Sequence, residues 1–173
     1  TVTIEQDVPK TMTKMKDVVE KLNQVFSFIQ SQNKMDEKTD TSKTLGGDYG
    51  IRIAEDRLRN AVQTNLIGDP NRKYRSLSDL GVQFNKQGTL TFDEKKFQTA
   101  LEADFEGVVT LMTGNEEIKG IMPTVLSAVN TISSAGGGVI TGQLQNYNNQ
   151  IRTIDKNIAT KEKQIERKAE MIK

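Results

Sequence analysis

The sequence predicts a mainly α fold, an elongated helical bundle or coiled-coil leg carrying a small β-hairpin, and three observations carry that reading. Apolar residues recur at spacings of three and four along several stretches, the period of helices that bury one stripe. One segment near residues 82–92 switches to a period of two. Only 35% of the 173 residues are apolar and 5% aromatic, with six Met, six Phe and no Trp, which suits a helix-rich fold with a thin core.

The longest periodic stretch is at the C-terminus. Ile140, Leu144, Tyr147, Ile151, Ile154 and Ile158 alternate in steps of four and three, and the same count continues through Lys161, Ile165, Lys168 and Ile172. This is the heptad repeat of a helix packed lengthwise on another helix. One seam position stays Leu or Ile throughout, and the other changes from Ile and Tyr to Lys. The distal end is therefore a poor self-associating coil that needs acidic or hydrated neighbours unless the lysines snorkel past a short partner. No Gly or Pro follows Gly142, so one rod of about 50 Å is expected at about 1.5 Å per residue. Such a rod needs a second helix to cover its stripe. Gly136, Gly137 and Gly138 precede it and are read as a hinge or reversal; no Gly-Lys-Ser/Thr follows, so they are not a phosphate loop.

The remaining elements follow in chain order. Thr1 to Asp7 alternates as Val2 and Ile4 against polar residues, like the last strand of a sheet whose other strands are expected elsewhere in a longer protein. Asp7 and Pro9 mark a helix start, and Met12, Met15, Val19, Leu22, Phe26 and Ile29 give its stripe, widened by Val18 and Val25 and ending near Gln32. This helix is the local candidate to pair with the rod. The polar stretch from Ser31 to Thr44 is expected as an exposed loop, without calcium-loop spacing at Asp36 and Asp40. Ile51, Ala54, Leu58, Ala61, Val62 and Leu66 mark a third amphipathic helix, with Arg52, Arg57 and Arg59 solvated or paired with Glu55 and Asp56.

A turn is expected at Gly68 to Asn71, then a short basic loop from Arg72 to Arg75. Val82 and Phe84, a turn over Asn85 to Gly88, then Leu90 and Phe92 read as a hairpin. Asp93 caps a short helix through Phe97, Ala100 and Leu101, which leads to Asp104 and a further turn containing Val108 to Met112. A last helix before the glycines is expected from about Glu116 to Ile132, bent by Pro123. The organisation read from this is an end strand at 1–7, a helical leg at 8–138 with its hairpin at about 82–92, and a coiled-coil helix at 139–173.

Composition narrows function more by exclusion. Lys plus Arg total 24 against 23 Asp plus Glu, so a net charge of +1 gives no field for nucleic acid. No apolar run approaches the roughly 20 residues that span a bilayer, so membrane insertion is not expected. Neither Cys nor His is present, which removes thiol nucleophiles, imidazole bases and thiolate metal sites; no cofactor is expected. A hydrolase would have to use a carboxylate pair, Asp93 with Glu94 or Asp104 with Glu106, and each pair stands where helix capping already explains it.

From Leu45 to Met112 the sequence carries an ordered series of features. Leu45, Gly47, Asp48, Arg52, Leu58 and Arg59 are followed by the string SLSDLGVQFNKQGTLTFDEKKFQTALEADFEGVVTLM, with Ser76, Leu77, Leu80, Gly81, Gly88, Asp93, Leu101 and Asp104 in it. This series resembles the C-terminal region of the bacterial flagellar filament cap family, also called hook-associated protein 2; Phe105 and Met112 depart from the Pro and Phe of the family pattern. With the glycines and the rod, the resemblance covers essentially the whole chain. It implies a structural protein that acts at the extracellular tip of the flagellum as a homo-oligomer and guides flagellin into the filament. It also implies export through the secretion channel and a leg whose C-terminal helix pairs with N-terminal helices of the same full-length protein. The sequence stops at Lys173, short of the family's helical tail, so contacts with an export chaperone are expected to lie in that missing tail. The competing reading is a generic coiled-coil scaffold or secretion-system tip protein, and the hairpin between helices favours the cap.

Overall fold

The computed structural model describes residues 7–33, 44–65 and 72–172. Within them the chain forms α1 (Val8–Asn33), α2 (Tyr49–Val62), β1 (Val82–Phe84), β2 (Leu90–Phe92), α3 (Glu94–Ala103), α4 (Phe105–Thr113), α5 (Ile121–Ser133) and α6 (Val139–Ile172). The mainly α class with one small antiparallel hairpin is the fold observed. The chain divides into two compact units, Thr1–Asn130 and Thr131–Lys173.

In the first unit α1 is the spine. Asp7 caps it by accepting from the Lys10 N–H (2.9 Å), and Pro9 sits in the first turn, where a missing N–H costs nothing. Its stripe of Met15, Val19, Leu22, Phe26 and Ile29 is buried against β2, α3 and α2. That corrects the expectation that this stripe awaits the C-terminal rod: the hairpin and its neighbours already cover it. Val25 does not widen the stripe. It is exposed, as is Phe28, because both lie on the side of α1 turned away from the hairpin.

The hairpin pairs Val82 with Phe92, Gln83 with Thr91 and Phe84 with Leu90. Backbone bonds from Asn85 to Thr89 and from Asp93 to Gly81 set the alternation, so Leu90 turns its N–H and C=O outward. The Asn23 side-chain amide meets both, accepting from the Leu90 N–H at 2.6 Å and donating to its C=O at 2.8 Å. One turn-pair further along the same helix, Gln30 Nε2 donates to the Gln87 C=O in the hairpin turn (2.7 Å). Two amides seven residues apart thus stand in for a third strand and fix the hairpin on α1. Gly88 takes φ +79° in that turn, a conformation that L side chains rarely adopt.

The cores meet around aromatic pairs. Phe26 packs edge-on against Phe84 at 5.1 Å, and Phe92 against Phe97 at 5.4 Å. Arg59 on α2 lies 4.4 Å over the Phe84 ring and is held by Glu55 at 2.7 Å, so the expected arginine pairing is present and carries a stacking role as well. Before the hairpin, residues 76–80 form a turn that buries Leu77 and Leu80.

Three boundaries differ from the sequence reading. α2 ends at Val62, and Leu66 lies outside the described residues, as do the strand expected over residues 1–6, most of the 31–44 loop and the 68–71 turn. α1 ends at Asn33, in agreement with the end read near Gln32. The turn expected at Val108 to Met112 is a full helix, α4, because Asp104 accepts from the Gly107 N–H (2.9 Å) and starts it. The helix expected from Glu116 begins only at Ile121. Asn115 Oδ1 accepts from the N–H groups of Glu117 and Ile118, closing a turn bridged from Gly114 to Lys119. Pro123 then falls in the first turn of α5, not its middle, so it has no internal hydrogen bond to break.

Candidate functional site

The second unit presents the surface that the sequence singled out. α6 runs unbroken for 34 residues, about 50 Å, and its side chains project without interruption by Gly or Pro after Gly142. Leu144, Tyr147, Ile151, Ile154, Ile158 and Ile165 are 40% to 67% exposed. Lys161 and Lys168 stand in the same row and are exposed too, and Ile172 is the last helical residue. The helical geometry therefore brings every predicted seam position onto one stripe. An isolated stripe of this kind is costly in water: covering each Leu or Ile fully is worth about 1.5–3 kcal/mol. The stripe is the longest run of exposed apolar side chains among the described residues.

The glycine run ahead of α6 divides into three different situations. A Cβ on Gly136 would meet nothing within 4 Å, and Gly137 takes φ +153°. Gly138 is buried; a Cβ there would come within 2.6 Å of the Ser134 C=O, which also accepts from the Gly138 N–H at 2.8 Å and from Thr141 Oγ1 at 3.0 Å. Space alone does not require glycine at position 136, the backbone φ favours it at Gly137, and Gly138 is there for close packing.

The carboxylates weighed as a hydrolytic pair have structural work. Asp93 accepts from the Lys96 N–H at 3.0 Å and Asp104 from the Gly107 N–H at 2.9 Å, each starting a helix. Asp79 is a displaced carboxyl. Burial opposes its ionisation, but bonds from the Arg75 N–H (2.8 Å), Ser76 Oγ (3.0 Å) and the Ser76 N–H (2.9 Å), with the Lys96 charge nearby, outweigh it and hold the group below the usual carboxylate range. Its partners are those of a turn anchor. Sequence reasoning did not single out Asp79, Asn23 or Gln30 as structural anchors, and only the Ser-x-x-Asp spacing at Ser76 carried any signal of them.

The model of the flagellar hook-associated protein 2 C-terminus matches residues 1–173. The chain belongs to the flagellar hook-associated protein 2 family. B-type flagellar hook-associated protein 2 of Pseudomonas aeruginosa is 34% identical over 120 residues, 66% of this chain and 24% of that protein. The flagellar hook-associated protein 2 of Escherichia coli K12 is 26% identical over 172 residues, 89% of this chain and 36% of that protein. Among solved structures, the crystal structure of the flagellar cap protein FliD D1-D2-D3 domains from Escherichia coli superposes with a TM-score of 0.66 at 27% identity, covering 81% of this chain and 37% of that one. The chain thus spans about a quarter to just over a third of these hook-associated relatives.

Proposed function

We propose that this chain is the C-terminal share of the leg of a flagellar filament cap, a structural protein that sits at the extracellular tip of the flagellum and guides flagellin subunits into the growing filament. The observation that carries the reading is the exposed heptad stripe of α6 in a chain of the hook-associated protein 2 family. The body at residues 8–138 and the rod at 139–173 are the two parts of the leg. Leu144, Tyr147, Ile151, Ile154, Ile158, Lys161, Ile165, Lys168 and Ile172 form the seam, which N-terminal helices of the same full-length protein cover. Gly136, Gly137 and Gly138 are the joint that lets rod and body adjust as subunits are added. The cap works as a homo-oligomer with flagellin as its client, and an export chaperone is a further partner of the full-length protein.

The working parts are mechanical. A rod of paired helices resists bending, and the carboxylates best placed for acid-base chemistry are engaged as caps. Deleting the full-length gene in a flagellated host tests the reading: flagellin monomer is expected in the medium and filaments are lost, and restoring the gene returns the filaments and ends the release of monomer. Filaments of normal length without the gene would overturn it.

A further inference from the structure

We infer that the seam of α6 is built for a helix of different sequence, one that places carboxylates in the two layers holding Lys161 and Lys168, and that these lysines exclude a second copy of α6. The inference rests on the reading of α6 as a coiled-coil strand and adds what its partner must carry.

The charge arrangement supplies the argument. Leu144, Ile151, Ile158, Ile165 and Ile172 occupy one core position of the heptad, and Ile140, Tyr147, Ile154, Lys161 and Lys168 the other. The first three layers of the second set are apolar, so they accept any apolar helix. The last two are cationic and exposed along the stripe. In a parallel pair of α6 helices, equivalent positions share a layer, so Lys161 would face Lys161 and Lys168 would face Lys168 of the copy. Glu162 of the copy would stand beside Lys161, but the corresponding neighbour of Lys168 is Ala169, so that layer has no counter-charge.

An antiparallel pair in full overlap fares no better. Lys161 would lie against Ile151 and Lys168 against Leu144 of the copy, and the two Asp155 carboxylates would meet across the flank. Both self-pairings bury ammonium groups or oppose like charges, which weakens them relative to a pair that supplies counter-charges in those layers. A partner with Glu or Asp in those layers removes the penalty and fixes the register, because only one alignment puts both carboxylates on both lysines. The homo-oligomer of the cap then forms through surfaces other than this seam.

Designed peptides test this on the 173-residue chain. Each is a 35-residue helix with Ile and Leu at its core positions, made in parallel and antiparallel versions, and each version carries either Glu or Lys in the two layers that face Lys161 and Lys168. In one orientation the Glu peptide is expected to bind at least tenfold tighter than its Lys twin by fluorescence anisotropy. The Lys161→Glu/Lys168→Glu chain, altered only at exposed positions, is expected to reverse that preference. Equal binding of the Glu and Lys twins would overturn the charge code and leave the coiled-coil reading standing. Absence of binding by every peptide would overturn both. Dimerisation of the unaltered chain that Ile151→Asp abolishes would likewise overturn the exclusion of a second copy.

Discussion

At the scale of single residues, the fold depends on polar side chains that do the work of backbone. Asn23 closes the free edge of β2, and truncating it leaves the Leu90 N–H and C=O without their partner. Asn23→Ala is therefore expected to cost about 1–3 kcal/mol, read as a lower urea midpoint with an unchanged slope. Asp79 gathers the turn over residues 75–79, and its carboxyl titrates below its ordinary range in the folded chain. Its contribution is therefore complete above about pH 4, where the unfolded group is ionised, and is lost as the pH falls through the lower folded value. Asp79→Asn should be less stable than the parent by about 0.5–2 kcal/mol at pH 7. Urea melts at descending pH should show that gap closing below about pH 4. Neither residue is legible from hydrophobic pattern: Asn23 binds a strand 67 residues away, and Asp79 acts through polar bonds within its own turn.

At the scale of elements, caps and turns decided the boundaries. The apolar run from Ile118 to Val129 has helical spacing throughout, yet the Asn115 turn claims its beginning and places Pro123 in the first turn of α5. Pro123→Ala is thus expected to change stability by no more than about 0.5 kcal/mol, where relief of a mid-helix proline would be worth about 3 kcal/mol. Glycine positions sort in the same way. A Cβ at Gly120 would strike the backbone of residues 112–114, and one at Gly136 would meet nothing. Gly120→Ala is expected to lower the melting midpoint by several degrees and Gly136→Ala to leave it in place, as thermal melts followed by circular dichroism would record. The elements with strong local punctuation, α1 with its Asp7 cap and the hairpin with its glycine turn, were legible in the sequence. Those that needed a choice between two feasible starts were not.

At the scale of the molecule, the two apolar stripes with heptad-like spacing turn out to have different fates. That of α1 is covered by β2, α3 and α2, and that of α6 is exposed in this chain. A charge placed on the α6 stripe should consequently leave the isolated chain alone and act only where a partner helix is present. Ile151→Asp and Ile158→Asp are expected to shift the melting of the 173-residue chain by less than about 0.5 kcal/mol, the level of ordinary surface substitutions. In the full-length protein the same changes should lower it by at least about 2 kcal/mol, as for an unpaired charge placed in a core. Parallel melts of the two forms make the comparison, and a matching loss in both would show that the stripe is covered within this chain.

The amino-acid order alone determined the helical class, the one hairpin, the heptad register of α6 and its change from isoleucine to lysine, since periodicity and turn chemistry are local properties written in neighbouring residues. Tertiary structure decided which stripe is consumed and which is left over, where α4 and α5 begin, and that two amides on α1 hold the hairpin. Those outcomes depend on which surfaces meet in space, and two stripes of equal period look alike until one of them is covered.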